Sequence, residues 1–330
     1  MPTNTPGVVL FGLDAVIVAV TDDAPRVLVV DADDEEALPS GALDLERHQT
    51  LERGMREVAQ QQAGIRLGYV EQLYTFGDRF RDPRERREGA RVVSAAYLAL
   101  VVEHAFVQRP SARFRNMYEF LPWEDWRDGR PALIEGVLKP QLDAWCGKDA
   151  RRCERTALTF GLEGAPWDPE RTLERYELLW EAGIVAEARR ERRSGSERRS
   201  GAEHAYPFPD ADVRSARDPG RAMAQDHRRM LATALGRLRG KIRYRPVVFE
   251  LLPETFTLLR LQRVVEALAG NRLHKQNFRR LVEGAGLVEG TGVQEHTGRG
   301  RPAELFRFRR EVFRERPAPG VYFPGAWWSQ

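Results

Sequence analysis

The chain is poor in cysteine, has no long hydrophobic run and shows no apolar leader. Cys146 and Cys153 are its two cysteines, too few for a disulfide framework or a zinc set, and a reducing cytoplasm fits that usage. No apolar run approaches the roughly 18 residues that a membrane-spanning helix needs. The N-terminus has no basic segment followed by an apolar stretch, so neither a membrane span nor a signal peptide is expected. One tract, residues 191–201 (ERRSGSERRSG), contains no apolar residue and repeats ERRSG. It cannot bury surface and is expected to be a flexible basic linker. The 330 residues are too many for one compact core, and a hydrophobic content of 42% is ordinary for a globular protein. Two or three domains are expected.

Positive charge is scarce in the front of the chain. Residues 1–146 hold 17 Lys/Arg against 24 Asp/Glu, residues 147–245 hold 22 against 16, and residues 246–330 hold 13 against 9. The net charge of +3 therefore hides an acidic front and a basic rear. A polyanion is expected to dock on the rear half.

The most informative stretch is residues 256–308. In FTLLRLQRVVEALAG, Leu261, Val264, Val265 and Leu268 recur at i, i+3, i+4 and i+7, which is one apolar face of a helix. Thr257 is placed to cap its start and Gly270 to stop it. A second amphipathic run buries Phe278, Leu281, Val282 and Ala285. At roughly 100° per residue, the opposite face carries Gln276 and Arg280, flanked by Asn277 and Arg279, with Lys275 at its start. Amides can bond adenine at two points and guanidinium groups can do the same to guanine, so this face suits DNA reading. Two strands are expected at 287–295 and 304–309. Their connector, HTGRGRP, reads as a basic wing in which Arg299 and Arg301 reach phosphates or a minor groove. The competing reading is a small α/β domain with a solvated charged helix. The order of all the pieces favours DNA binding.

That run, FTLLRLQRVVEALAG…NFRR…GLVEGTG…GRGRPAELFRF, resembles the winged-helix half of the Nudix-related transcriptional regulators of NAD metabolism. The resemblance spans nearly the whole C-terminal domain.

The front of the chain is a separate test. Strand-like runs at 8–20 and 26–32 flank the turn TDDAP, LPSG at 38–41 leads to a helix at about 48–63 that Gly64 ends, and strands follow at 69–77 and 91–103. This is the plan of an α/β/α sandwich. The helix and its flanks resemble a Nudix box, whose glutamates hold magnesium against a pyrophosphate. The chain keeps Gly41, Arg56, Glu57, Val58, Gly64 and Ile65. It departs from the box elsewhere. The Gly41–Gly64 interval is two residues longer than the box, Arg47 stands where the first glutamate belongs, and Gln60 and Gln61 replace the paired glutamates. Two amides in place of carboxylates remove two negative charges and most of the grip on a hard cation. No catalytic residue and no bound metal are expected, and no cofactor is required.

The segment YTFGDRFRDPRERREGARVVSAAYLAL is similar to a stretch in the same regulators. GIRLGYVEQLYTFGDR points more narrowly to the alphaproteobacterial repressors of NAD biosynthesis, the NadQ type. Arg81 and Arg84 suit pyrophosphate oxygens and Phe76 could stack on a base. Arg86 and Arg87 read as a solvated loop. The candidate effector-binding set is therefore Gly41, Arg56, Glu57, Phe76, Arg81 and Arg84.

Between the two ends, the aromatics of 114–126 are expected to pack, and Pro131 to open a helix through Trp145. Two helices broken at 164–169 carry the stripe Leu173, Tyr176, Leu179 and Trp180. A helix around 221–239 suits a packed core or a dimer seam, and the aromatic tail 321–330 is expected to dock on a domain surface.

The resulting expectation is a Nudix-like α/β/α domain (1–146), a helical linker or dimerisation region (147–245, with a flexible basic tract at 189–204) and a winged helix-turn-helix domain (246–330). The resemblance implies a cytoplasmic homodimeric repressor of NAD-biosynthesis genes. It binds double-stranded operator DNA and answers to ADP-ribose, ATP or another NAD-related nucleotide. The alternatives are an active Nudix pyrophosphatase, for which Glu52 is the nearest substitute carboxylate, and an RNA-binding or scaffolding protein.

Overall fold

A computed structural model of the protein describes residues 9–32, 35–78, 85, 90–103, 109–190, 218–296, 302–315 and 320. The front half is built on one long strand, β1 (Val9–Thr21). Its residues from Gly12 to Ala19 are all buried, because both faces of a central strand are covered and the sequence there runs apolar without alternation. β2 (Ala24–Ala32) pairs antiparallel with β1 through a tight turn in which Asp22 and Asp23 both have positive φ, 51° and 58°.

Short strands β3 (Glu35–Ala37) and β4 (Ser40–Ala42) precede α1 (Leu51–Ala63). β5 (Tyr69–Phe76), β6 (Arg91–Leu100) and β7 (Ala112–Asn116) complete a mixed sheet. Its path is β3-β2-β1-β6-β5, with β4 on β1 and β7 on β2; β1 and β6 run parallel, from Val9↔Arg91 to Val18↔Leu100. α1 starts where the Thr50 side chain accepts the Arg53 N–H and stops at Gly64 in the left-handed region. Met55, Ala59 and Ala63 of α1 pack on Leu13, Ala15, Ile17 and Ala95 of one sheet face. The helix lies so close that a Cβ at Gly54 would sit 2.6 Å from Leu13 Cδ1.

The other face is covered from further along the chain. α2 (Met117–Phe120), α3 (Lys139–Cys146), α4 (Ala150–Phe160) and α5 (Thr172–Glu181) lead to α6 (His227–Ile242). Met223, Met230, Leu231, Ala234 and Leu238 are all buried, in one continuous cluster with Val16, Val18 and Leu98 of the sheet and Tyr176 and Leu179 of α5. The periodic run of the 221–239 helix is thus core packing within the chain. Its helix begins at His227, six residues later than the sequence suggests. The tract 191–201 and the tail 321–330 lie outside the described residues.

The C-terminal domain follows the predicted order. β8 (Thr255–Phe256), α7 (Leu258–Ala269), α8 (Lys275–Gly284), β9 (Val288–Glu295), β10 (Ala303–Phe308) and the single turn α9 (Val312–Glu315) form it. Its sheet order is β8-β10-β9, all antiparallel. Thr257 caps α7 through the Arg260 N–H, and Gly270 ends it at φ 72°. Leu261, Val264, Val265, Leu268, Phe278 and Val282 belong to the same buried cluster as the sheet and α6. The winged helix therefore packs directly on the front of the chain. Among the described residues, no helix is long and apolar enough to cross a membrane.

Candidate nucleic-acid interface and nucleotide site

α8 presents the surface its pattern promised. Phe278 and Val282 are fully buried, while Lys275, Gln276, Asn277, Arg279 and Arg280 are exposed. None of these five makes a side-chain hydrogen bond or ion pair within the described residues. The helix is held at its start by a latch in the preceding turn. Glu266 of α7 accepts the Leu273 N–H (2.9 Å) and the Gln262 amide (2.8 Å) and pairs with Arg272 (3.2 Å). Gln262 also donates to Leu273 O (2.9 Å). Sequence reasoning passed over Gln262 and Glu266. Their signal was an amide and a carboxylate four residues apart beside the apolar stripe of α7, a spacing that lets them bond across one turn.

The wing is seen in its strands. β9 and β10 pair from Ala303↔Glu295 to Phe308↔Val288, with a shift between Glu304 and Phe306. Arg307 bonds Glu289 across the pair (2.6 Å). Arg299 and Arg301 lie outside the described residues.

The residues of the Nudix-like box are divided by the fold. Glu57 is turned toward the turn before α1 and is met there by positive and donor groups. Arg47 bonds its Oε1 (2.6 Å), Gln61 donates to the same oxygen (2.9 Å), and His48 Nε2 faces Oε2 at 3.4 Å. His48 Nδ1 accepts the Asp44 N–H (3.1 Å), so a neutral ring carries its proton on Nε2, facing the carboxylate. Asp44 also accepts the N–H groups of Glu46 and Arg47, which lower its carboxyl below the usual range and fix the turn. Gly41 sits against α1, where a Cβ would meet Val58 at 2.8 Å. Gln62, not singled out from sequence, ties β4 to the same helix through both the N–H and the carbonyl of Ser40.

Two candidates are not brought to Glu57. Arg56 bonds Glu52 (2.9 Å) and the carbonyls of Leu67 and Gly68, bracing the loop that follows α1. Phe76 is buried in the layer on the opposite side of the sheet from α1. Sequence did not show this, because both residues sit beside strand and box signals that do not reveal which way a side chain leaves the backbone. Arg81 and Arg84 lie outside the described residues.

The resemblance to a Nudix box implies a magnesium site, and the donors described around Glu57 do not fit one. The Arg47 guanidinium stands against Glu57, Glu52 is engaged by Arg56, and Gln60 and Gln61 are neutral. Among the described residues no group of three His, Cys, Asp or Glu is arranged to hold a metal ion. An open groove of about 500 Å³ between α4 and α5 is lined by both charge signs, including Arg151, Arg155 and Glu174, and is apart from both candidate sites.

Residues 248–308 match the family described as the NrtR DNA-binding winged helix domain. A curated relative, the ADPR responsive transcriptional repressor NtrR of Acinetobacter baylyi, is 41% identical over 86 residues, which is 26% of this chain and 34% of the relative. The matched part thus spans about a third of that relative's length. Among solved structures, NrtR of Shewanella oneidensis complexed with a 27mer DNA aligns over 92% of this chain and 94% of its own, with TM-score 0.54 and 21% identity. A MutT/nudix family protein from Enterococcus faecalis aligns over 94% and 89%, with TM-score 0.50 and 15% identity. The shared fold is a Nudix-like domain followed by a winged helix.

Proposed function

We propose that this chain, NrtR-like in its winged helix and in its whole fold, is a nucleotide-responsive transcriptional repressor whose Nudix-like domain senses its ligand without hydrolysing it. The observation that carries the reading is the outer face of α8. It shows one amide pair and two guanidinium groups, free of partners among the described residues, on a helix whose inner face is locked into the core. Base edges in a major groove are the complement of that face. Arg280 and Gln276 read bases, Lys275, Asn277 and Arg279 flank them, and Arg299 and Arg301 of the wing hold the backbone.

A homodimer on a two-fold operator follows from the two-half-site logic of such readers. ADP-ribose is the first effector to test, because the relative from Acinetobacter is named as ADPR responsive; ATP is the second. Arg81 and Arg84 are assigned to its pyrophosphate, beside Gly41 and Glu57, while Arg56 and Phe76 support the fold around them. NAD-biosynthesis genes are the proposed targets, and the cytoplasm the compartment. Loss of hydrolysis is supported by Gln60 and Gln61, neutral where the box has glutamates, and by the Arg47 guanidinium set against Glu57.

The test is to enrich duplexes with the full chain from a randomised library, then to measure binding to the winner with and without ADP-ribose or ATP. An enriched inverted repeat whose affinity changes with nucleotide supports the reading. Multiple-turnover release of AMP from ADP-ribose in magnesium, abolished by Glu57→Gln, would favour the pyrophosphatase instead.

A further inference from the structure

The geometry points to Tyr118, Glu124 and Arg239 as positioning residues that form the joint through which nucleotide binding reaches the DNA-reading helices, with α6 linking that joint to Leu38 and Asp78 of the front domain. The inference rests on the repressor reading above and deepens it by naming the groups that carry the response.

Every helix leaves its last carbonyls without partners inside the helix. At the end of α7 those carbonyls are taken up by the rest of the chain. Ala267 O accepts the Tyr118 hydroxyl (2.7 Å), Leu268 O accepts Arg239 Nε (3.1 Å), and Gly270 O accepts the Trp126 N–H (2.7 Å). A cation beside a helix C-terminus also complements its dipole. The approach is so close that a Cβ at Gly270 would lie 2.4 Å from Glu124 O.

Beneath this contact Glu124 is fully buried between two fully buried arginines. Arg175 holds both its oxygens (2.6 and 2.9 Å), and Arg239 bonds the carboxylate, the Glu124 carbonyl (2.9 Å) and Pro169 O (3.0 Å). Moving Arg239 away from this cluster would leave a buried charge without its partner, so α7 has few intermediate positions open to it. It shifts as a unit or stays.

Arg239 stands near the C-terminal end of α6. With 16 residues, that helix spans about 24 Å at 1.5 Å per residue. At its other end His227 Nδ1 accepts the N–H of Leu38 (3.0 Å), the first residue of the LPSG run that reaches Gly41. Two residues on, Arg229 bonds Asp78 (2.8 Å). Asp78 directly precedes residues 79–84, which include Arg81 and Arg84. On the repressor reading those arginines take the nucleotide, so its site follows directly in the chain on the residue that α6 holds.

The test uses the full chain, the enriched duplex and ADP-ribose. In the wild type, the ratio of duplex affinities with and without ADP-ribose is expected to fall in the range of about 5 to 150. Tyr118→Phe removes one hydroxyl from the joint and keeps the ring. It should leave the fold and the affinity for ADP-ribose without DNA unchanged, yet bring the ratio toward one by about threefold or more. Asp78→Ala, at an exposed side chain, should lower the same ratio from the far end. A wild-type ratio of one defeats the repressor reading and the joint with it. A normal wild-type ratio that both variants preserve defeats the joint alone.

Discussion

Two sets of arginines lie within the reach of the winged helix and do opposite things. Arg175 and Arg239 are fully buried around Glu124, with every hydrogen bond spent inside the protein. Arg279 and Arg280 of α8 are exposed, with no side-chain partner among the described residues. The first set determines where the reading helices stand, and the second what they can touch. Burial makes the difference, because a guanidinium inside the protein needs a full complement of acceptors, whereas one at the surface keeps its donors for another molecule. The α1 region falls between the two: Arg47 is exposed and Arg56 half-buried, yet both are committed, to Glu57, Glu52 and loop carbonyls.

The largest expected effect is on the buried set. Glu124→Gln leaves two arginines facing a neutral amide and should cost about 3–5 kcal/mol of unfolding free energy at neutral pH, read by denaturant titration. The sign with pH follows from linkage. Burial alone would raise the Glu124 carboxyl, but the charges of Arg175 and Arg239 outweigh it and hold it below the usual carboxylate range. A depressed carboxyl contributes its stability above the unfolded value and loses it as pH falls through the folded one. The gap between wild type and Glu124→Gln should therefore narrow below the ordinary carboxylate range. A gap that stays constant into strong acid would break the contrast.

A smaller effect is expected outside. Arg280→Ala should leave stability unchanged and cost about 1–3 kcal/mol of duplex affinity, with relaxed base preference at one position of each half-site. Arg301→Ala should weaken all sequences alike. Wild-type binding by both variants would remove α8 and the wing from the interface.

The smallest effect belongs to an exposed pair across the same boundary. Arg263 of α7 meets Asp23 of the β1–β2 turn, and both are partly open to solvent. Arg263→Ala should change stability by no more than about 1 kcal/mol. A loss as large as that of Glu124→Gln would mean that the surface pair, rather than the buried joint, sets the position of the reader.

The winged helix was legible in the sequence because its signals are local: an apolar period, a threonine cap, a terminating glycine and a polar face that stays exposed. Most of the sheet was legible for the same reason. β3, β4, β7 and β8 were not, since strands of two to five residues carry too few alternations to stand out. The joint was hidden more deeply. Tyr118, Glu124, Arg175 and Arg239 are up to 121 residues apart along the chain, and nothing in a single sequence says that a glutamate in an aromatic run will meet two arginines from distant helices. The direct packing of the winged helix on the front domain was hidden likewise. The run that resembles a Nudix box could be read in the sequence, but not the pairing of Glu57 with Arg47.

The measurement that reaches furthest is calorimetric titration of ADP-ribose into the full chain, first free and then saturated with the enriched duplex. Linkage requires that DNA shift nucleotide affinity by the same factor by which nucleotide shifts DNA affinity. A sensor joined to its reader predicts two affinities that differ by about 5- to 150-fold. Equal affinities in the free and DNA-bound states would contradict it.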